Sequence, residues 1–173
     1  MQRSEIAWVT VVTIRTGFPR SLGAPANKGI RPSGNFTPTM GVTPLSGQFA
    51  LVGGGTQGIG RAVAMELALQ GASITLLARD AKALAAVRGQ LPRPSDQTHY
   101  VLACDMADTR GLHTGIDELR RDRPISILVN NTGGPPPGLA HEADPSAFVA
   151  AFTQHLIGFQ TIVGLVVPGM KER

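Results

Sequence analysis

The sequence predicts an α/β fold, a parallel sheet of about four strands with helices on both faces. Two observations carry this. From Phe49 onward, short apolar runs alternate with longer stretches of helical spacing. A glycine-rich turn separates the first such run from the first helix. Alternation of this kind makes consecutive strands parallel, because each helix carries the chain back across the sheet.

The elements follow in order. Phe49–Val52 is an apolar run ending in glycines, which marks a buried strand. Arg61–Gln70 reads as a helix, with Ile59, Val63 and Leu67 on its expected inner stripe and Gly71 as the glycine that ends it. Ser73–Leu77 is a second strand, Ala81–Leu91 an Ala/Leu-rich helix and His99–Ala103 a third strand. Thr109–Arg121 reads as a helix diluted by Gly111 and Gly115, and Ile125–Val129 as a fourth strand. Asp144 can cap a last helix with Pro145 in its first turn; this helix is expected to run to about Val167 and meet Pro168. Right-handed crossovers make the whole a Rossmann-type doubly wound sheet, truncated after about four strands.

The chain has 173 residues, 42% hydrophobic and 16% charged, enough for one packed domain. No apolar run reaches the roughly 18 residues of a membrane span, and Leu156–Val167 reads as a helix buried against a sheet or partner. The single cysteine, Cys104, excludes an internal disulfide and reads as a small buried group rather than a nucleophile. His99, His113, His141 and His155 lack metal-ligand spacing, so no metal is expected. The net charge of +4 belongs to residues 1–40, with five basic residues to one acidic; beyond them the count is eleven to eleven. The body therefore has no basic surplus for nucleic acid.

Residues 1–45 read as a disordered or targeting-like extension, because turn formers dominate and little apolar surface is available to bury. The short apolar run Ile6–Ile14 could be a signal-peptide core, but the charges of the preceding MQRSE cancel and Arg15 follows at once, which argues against it. An organelle-targeting peptide and an upstream extension without a folded role are the alternatives. Met40 opens a natural start to the domain at residues 46–173. A cytoplasmic location is expected.

The loop Gly53-Gly54-Gly55-Thr56-Gln57-Gly58-Ile59-Gly60 lies between strand and helix. Unpaired amides at a helix N-terminus attract an anion. A side chain at Gly54 or Gly58 would obstruct the turn or the approach of a pyrophosphate, and Gly60 lets the helix pack close to the strand. In isolation such a turn is an ordinary tight loop; the strand before it and the helix after it make it a dinucleotide site.

At this point the chain resembles the short-chain dehydrogenase/reductase family, specifically its N-terminal cofactor-binding portion as in 3-oxoacyl-carrier-protein reductases. Gly54, Gly58 and Gly60 match that family's TGxxxGxG, with Gly53 in the threonine place. Asn130-Asn131-Thr132-Gly133 stands where the family has Asn-Asn-Ala-Gly, and Asp105 followed by Met106 where it has the aspartate that contacts adenine. The match covers roughly residues 46–173. The cofactor-binding residues so assigned are Gly54, Thr56, Gln57, Gly58, Ile59, Gly60, Arg79, Asp105, Met106, Asn131 and Gly133.

NADP is expected over NAD. Ala78 takes the place of the acid that would bond a ribose 2′-hydroxyl, and Arg79 offers a planar fork to phosphate. Asp80 is either that acid in a shifted register or a helix N-cap. The run from Gly133 to Gly138 borders a substrate or stiffens a loop.

The resemblance implies hydride transfer with a small carbonyl or alcohol substrate, performed by a Ser, a Tyr and a Lys four residues after the Tyr. A cation beside the Tyr is needed because a phenol of pKa near 10 is a poor base at neutral pH. This sequence has no Tyr-x-x-x-Lys: its only tyrosine is Tyr100 and its lysines are Lys28, Lys82 and Lys171. His155 stands roughly at a family asparagine and reads as a partly exposed helix residue. No catalytic residue is therefore assigned. Three functions remain: an NADP-dependent oxidoreductase whose N-terminal half this chain represents, inactive alone; a non-catalytic dinucleotide-binding or interaction module; and a remnant that self-associates through its C-terminal helix. An exposed fourth-strand edge is expected to favour such association.

Overall fold

The computed structural model describes residues 9–13, 43–133 and 140–172. β1 (Val9–Thr13), β2 (Phe49–Gly53), β3 (Ser73–Ala78), β4 (Tyr100–Ala103) and β5 (Ile127–Asn131) form one sheet in the order β1-β5-β2-β3-β4. β2 to β5 are parallel, as the alternation predicts. Their crossovers contain α1 (Gly58–Leu69), α2 (Ala81–Gln90) and α3 (Thr109–Asp122). A long C-terminal helix follows: α4 (Pro145–Phe152), a π turn at Thr153–Ile157, and α5 (Gly158–Lys171).

The strand period of two sorts the core into two layers. Ala50, Val52, Ile74, Leu76 and Val129 pack with Ala64 and Ala68 of α1 and Leu84 of α2. Leu51, Leu77 and Leu128 pack on the opposite side with Ile116 of α3 and Ile162 of α5. Burying each such Leu or Ile contributes about 1.5–3 kcal/mol relative to exposure, and the doubly wound arrangement buries both faces of every central strand.

Four differences from the sequence reading have physical causes. First, the deepest stripe of α1 is Gly60, Ala64 and Ala68; Val63 and Leu67 are half-buried and pack against the same core, while Ile59 is 47% exposed. A Cβ at Gly60 would collide with the Gly54 carbonyl, so the close helix approach selects the stripe of small residues. Second, β5 is Ile127–Asn131, two residues later than expected at both ends. Third, its far edge is not open. Val9–Thr13, within the segment read as an unstructured extension, pairs antiparallel with it from Val9↔Asn131 to Thr13↔Ile127. The remainder of that extension up to Val42 lies outside the described residues.

The fourth difference is the last helix, which passes through Pro168 to Lys171. Proline there removes only one last-turn N–H, and Arg120, itself 2.9 Å from Asp117, donates to the nearby Leu165 carbonyl at 3.1 Å. Pro145–Lys171 is thus one helix of 27 residues, long and apolar enough by length and composition to cross a bilayer. Its Gly158, Ile162, Val166 and Met170 form a buried stripe, while Phe148, Val149, Phe152 and Leu156 are exposed.

Gly71 ends α1 as expected. It adopts φ +98, and the Gly71 and Ala72 amides donate to the Ala68 and Leu67 carbonyls. His99 lies just before β4 and is 2% exposed. Its Nδ1 accepts the Ile74 amide at 3.1 Å and its Nε2 lies 3.0 Å from the Pro92 carbonyl, so the ring is neutral with its proton on Nε2. Burial, reinforced by Arg93, holds its pKa below the ordinary value. The folded state then binds fewer protons than the unfolded chain at mildly acidic pH. Stability is full above about pH 6.5 and falls as pH drops below it. Thermal midpoints measured from pH 7.5 to 5.5 should decline, and His99→Gln should flatten the decline; parallel curves would refute the assignment.

Candidate functional site

A cleft of about 450 Å³ opens at the C-terminal ends of β2, β3, β4 and β5. Its base is the turn from Gly53 to Gly58. Gly54 has φ +59, and a Cβ on it would collide with Asn131 Nδ2. Asn131 is buried and donates from Nδ2 to the Gly53 carbonyl at 3.4 Å, which ties β5 to the turn. Gly58 has φ +55 but open space around it, so its requirement is conformational.

Helix beginnings separate the cleft from the rest of the fold. α2, α3 and α4 each open on an aspartate: Asp80, Asp108 and Asp144 accept first-turn amides. α1 opens on Gln57, whose side chain caps nothing. Its first amides and the positive end of its dipole are left to the cleft.

Asp80 lines the cleft and also caps a helix. Its Oδ1 accepts from the Lys82 and Ala83 amides at 2.9 and 3.0 Å, so the carboxylate serves as the α2 N-cap. Arg79 precedes it with a side chain 71% exposed; its guanidinium lies 4.0 Å from Asp105 Oδ2, a loose contact in a solvated setting. Asp105 Oδ1 accepts the Ala107 amide at 2.9 Å and so shapes the turn after β4. The Cys104 thiol is pushed up in pKa by burial and then by Asp108 and Asp105, which keeps it protonated.

Every predicted site residue except Gly60 and Asp105 lines the cleft. Gly60 lies beneath it against Gly54, and Asp105 stands beside it. Met106 is also a core residue, 5% exposed, and its carbonyl lies where a Cβ on Gly158 would be. Sequence reasoning missed Cys104, Thr132 and Gln154 as lining residues. His155 is half-buried and does not line the cleft; its neighbour Gln154 does. Tyr100 is also away from it, with the Arg123 guanidinium 4.1 Å from its ring centroid. Residues 134–139 of the Gly/Pro run lie outside the described residues. Among the described residues no group of three or more His, Cys, Asp or Glu could hold a metal ion.

The family model for short chain dehydrogenases matches residues 48–173. The chain belongs to that family. It is 32% identical over 145 residues to the inactive hydroxysteroid dehydrogenase-like protein 1 of Rattus norvegicus, covering 80% of this chain and 44% of that protein. A metagenomic short-chain oxidoreductase in complex with NADP is similar in structure, with a TM-score of 0.67 and 30% identity over 73% of this chain and 57% of that one. So is a 3-oxoacyl (acyl-carrier-protein) reductase from Agrobacterium tumefaciens with NADP bound, with a TM-score of 0.69 and 26% identity over 76% of this chain and 51% of that one. The chain spans less than half the length of the curated relative it matches. The fold expectation and the family resemblance both hold, and NAD(P) binding is a property of the family's fold.

Proposed function

We propose that residues 48–173 are the dinucleotide-binding portion of an NADP-dependent oxidoreductase, and that this chain alone performs no hydride transfer. The observation that carries the reading is the uncapped N-terminus of α1 facing a cleft whose turn has no room for a side chain at Gly54. These residues fit a diphosphate: the α1 amides can donate to it, and Gly54 and Gly60 keep the backbone close. Arg79, with its charge exposed, supports a 2′-phosphate, since Ala78 offers no acid and Asp80 is engaged as a cap. When bound, the nicotinamide supplies hydride chemistry to a carbonyl or alcohol. The chain's own part is to bind and orient it; its one tyrosine stacks with Arg123, and no Lys follows it at the required spacing. The word "inactive" in the name of the rat relative fits that reading.

Fluorescence titration of the purified chain tests it. NADPH should saturate a single site and bind more tightly than NADH. Arg79→Ala should weaken NADPH about 10-fold, as expected for an exposed charged hydrogen bond, and leave NADH unchanged. Equal losses for both nucleotides would remove the 2′-phosphate role. Turnover of NADPH with a carbonyl substrate would overturn the claim of inactivity.

A further inference from the structure

The inner end of the cleft carries a polar pair that the glycine loop does not explain. Gln154 sits in the π turn, where the long helix opens by one residue and Thr153 Oγ1 turns back to the Val149 carbonyl at 2.9 Å. Its Nε2 donates to Thr132 Oγ1 at 2.7 Å and reaches the Gly133 carbonyl at 3.4 Å. Thr132 Oγ1 donates to the same carbonyl at 3.1 Å. Gln154 Oε1 accepts nothing from the described residues, and Gln154 and Thr132 both line the cleft. An alanine, the residue of the Asn-Asn-Ala-Gly pattern, could not hold Gln154 in this way.

Sheet order fixes which half of a dinucleotide meets this pair. Arg79 and Asp80 follow β3, the α1 amides follow β2, and Thr132 and Gln154 stand beyond β5. With the diphosphate at α1 and the 2′-phosphate at Arg79, the other half of the molecule lies over β5. We propose that Gln154, held by Thr132, is a positioning residue for the nicotinamide-ribose half, with Oε1 accepting a ribose hydroxyl or carboxamide N–H. This rests on the dinucleotide reading above.

The test compares NADPH with 2′,5′-ADP, which carries only the adenosine half, by titration calorimetry on the whole chain. Gln154→Met keeps the length of the side chain and removes its polarity. It should weaken NADPH about 5- to 20-fold, the loss of a hydrogen bond or two, and leave 2′,5′-ADP within twofold. Thr132→Val should reproduce this loss, Thr132→Ser should restore wild-type affinity, and the Thr132→Val/Gln154→Met double variant should lose no more than either single one. Unchanged NADPH affinity in Gln154→Met overturns the assignment, as does a parallel loss of 2′,5′-ADP or additive losses in the double variant. If the wild-type chain binds neither ligand, the dinucleotide reading falls and this one with it; if it binds both and the variants match it, only this one falls.

Discussion

Gly54→Ala is expected to abolish dinucleotide binding and to lower stability by about 2–5 kcal/mol. Two costs combine. Residue 54 holds φ +59, a left-handed conformation that costs an alanine roughly 1–2 kcal/mol. The new methyl also meets Asn131 Nδ2, which is buried in its bond to the Gly53 carbonyl. Overpacking of that kind costs about 1–3 kcal/mol. The turn can relieve the collision only by moving away from β5, and that displaces the α1 amides from the diphosphate. Gly58→Ala is the control. It shares the positive φ but meets nothing within 4 Å, so it should cost about 1–2 kcal/mol from strain alone and fold normally. Urea unfolding and NADPH titration of both variants check this. Wild-type affinity in Gly54→Ala would mean that the cleft does not bind through this turn.

The parts of this fold that were legible in the sequence are those whose signals are local. β2 and β3 are apolar runs bounded by glycine or polar residues, and Asp144 with Pro145 declares a helix start by itself. The phase of α1 was not legible. A 3.6-residue period is satisfied by Ile59, Val63 and Leu67 as well as by Gly60, Ala64 and Ala68; close approach to the Gly54 carbonyl puts the second stripe deepest, with Val63 and Leu67 at its edge and Ile59 exposed. β1 was hidden because its partner lies over a hundred residues away, and no local signal names the partner of a Val/Thr run. Asp80 was ambiguous because the same carboxylate suits a ribose or a helix cap; its bonds to the Lys82 and Ala83 amides, which make it a cap, are visible only in the fold. Gln154 escaped notice because the residue that gives it meaning, Thr132, is 22 positions earlier.

Ile162→Ala should destabilise the chain by about 2–5 kcal/mol, the cost of a cavity in a core that cannot fully collapse. Ile162 is 1% exposed and packs in the same layer as Ile116 and Leu128. It cannot shift toward β4 to fill the space, because Gly158, one turn earlier, lies against the Met106 carbonyl. Phe152→Ala, on the same helix, removes a larger side chain that is 56% exposed and should change stability by no more than about 0.5 kcal/mol. The ratio of the two effects separates a core helix from one that resembles a membrane span only in length and apolarity. In a helix held by the sheet, the 158–162–166–170 stripe carries the energy and the 148–152–156 stripe carries little. If urea midpoints of the two variants moved by the same amount, the packing of α5 against α3 would not be what holds this helix, and the inner wall of the cleft, which hangs from it through Gln154, would lose its support.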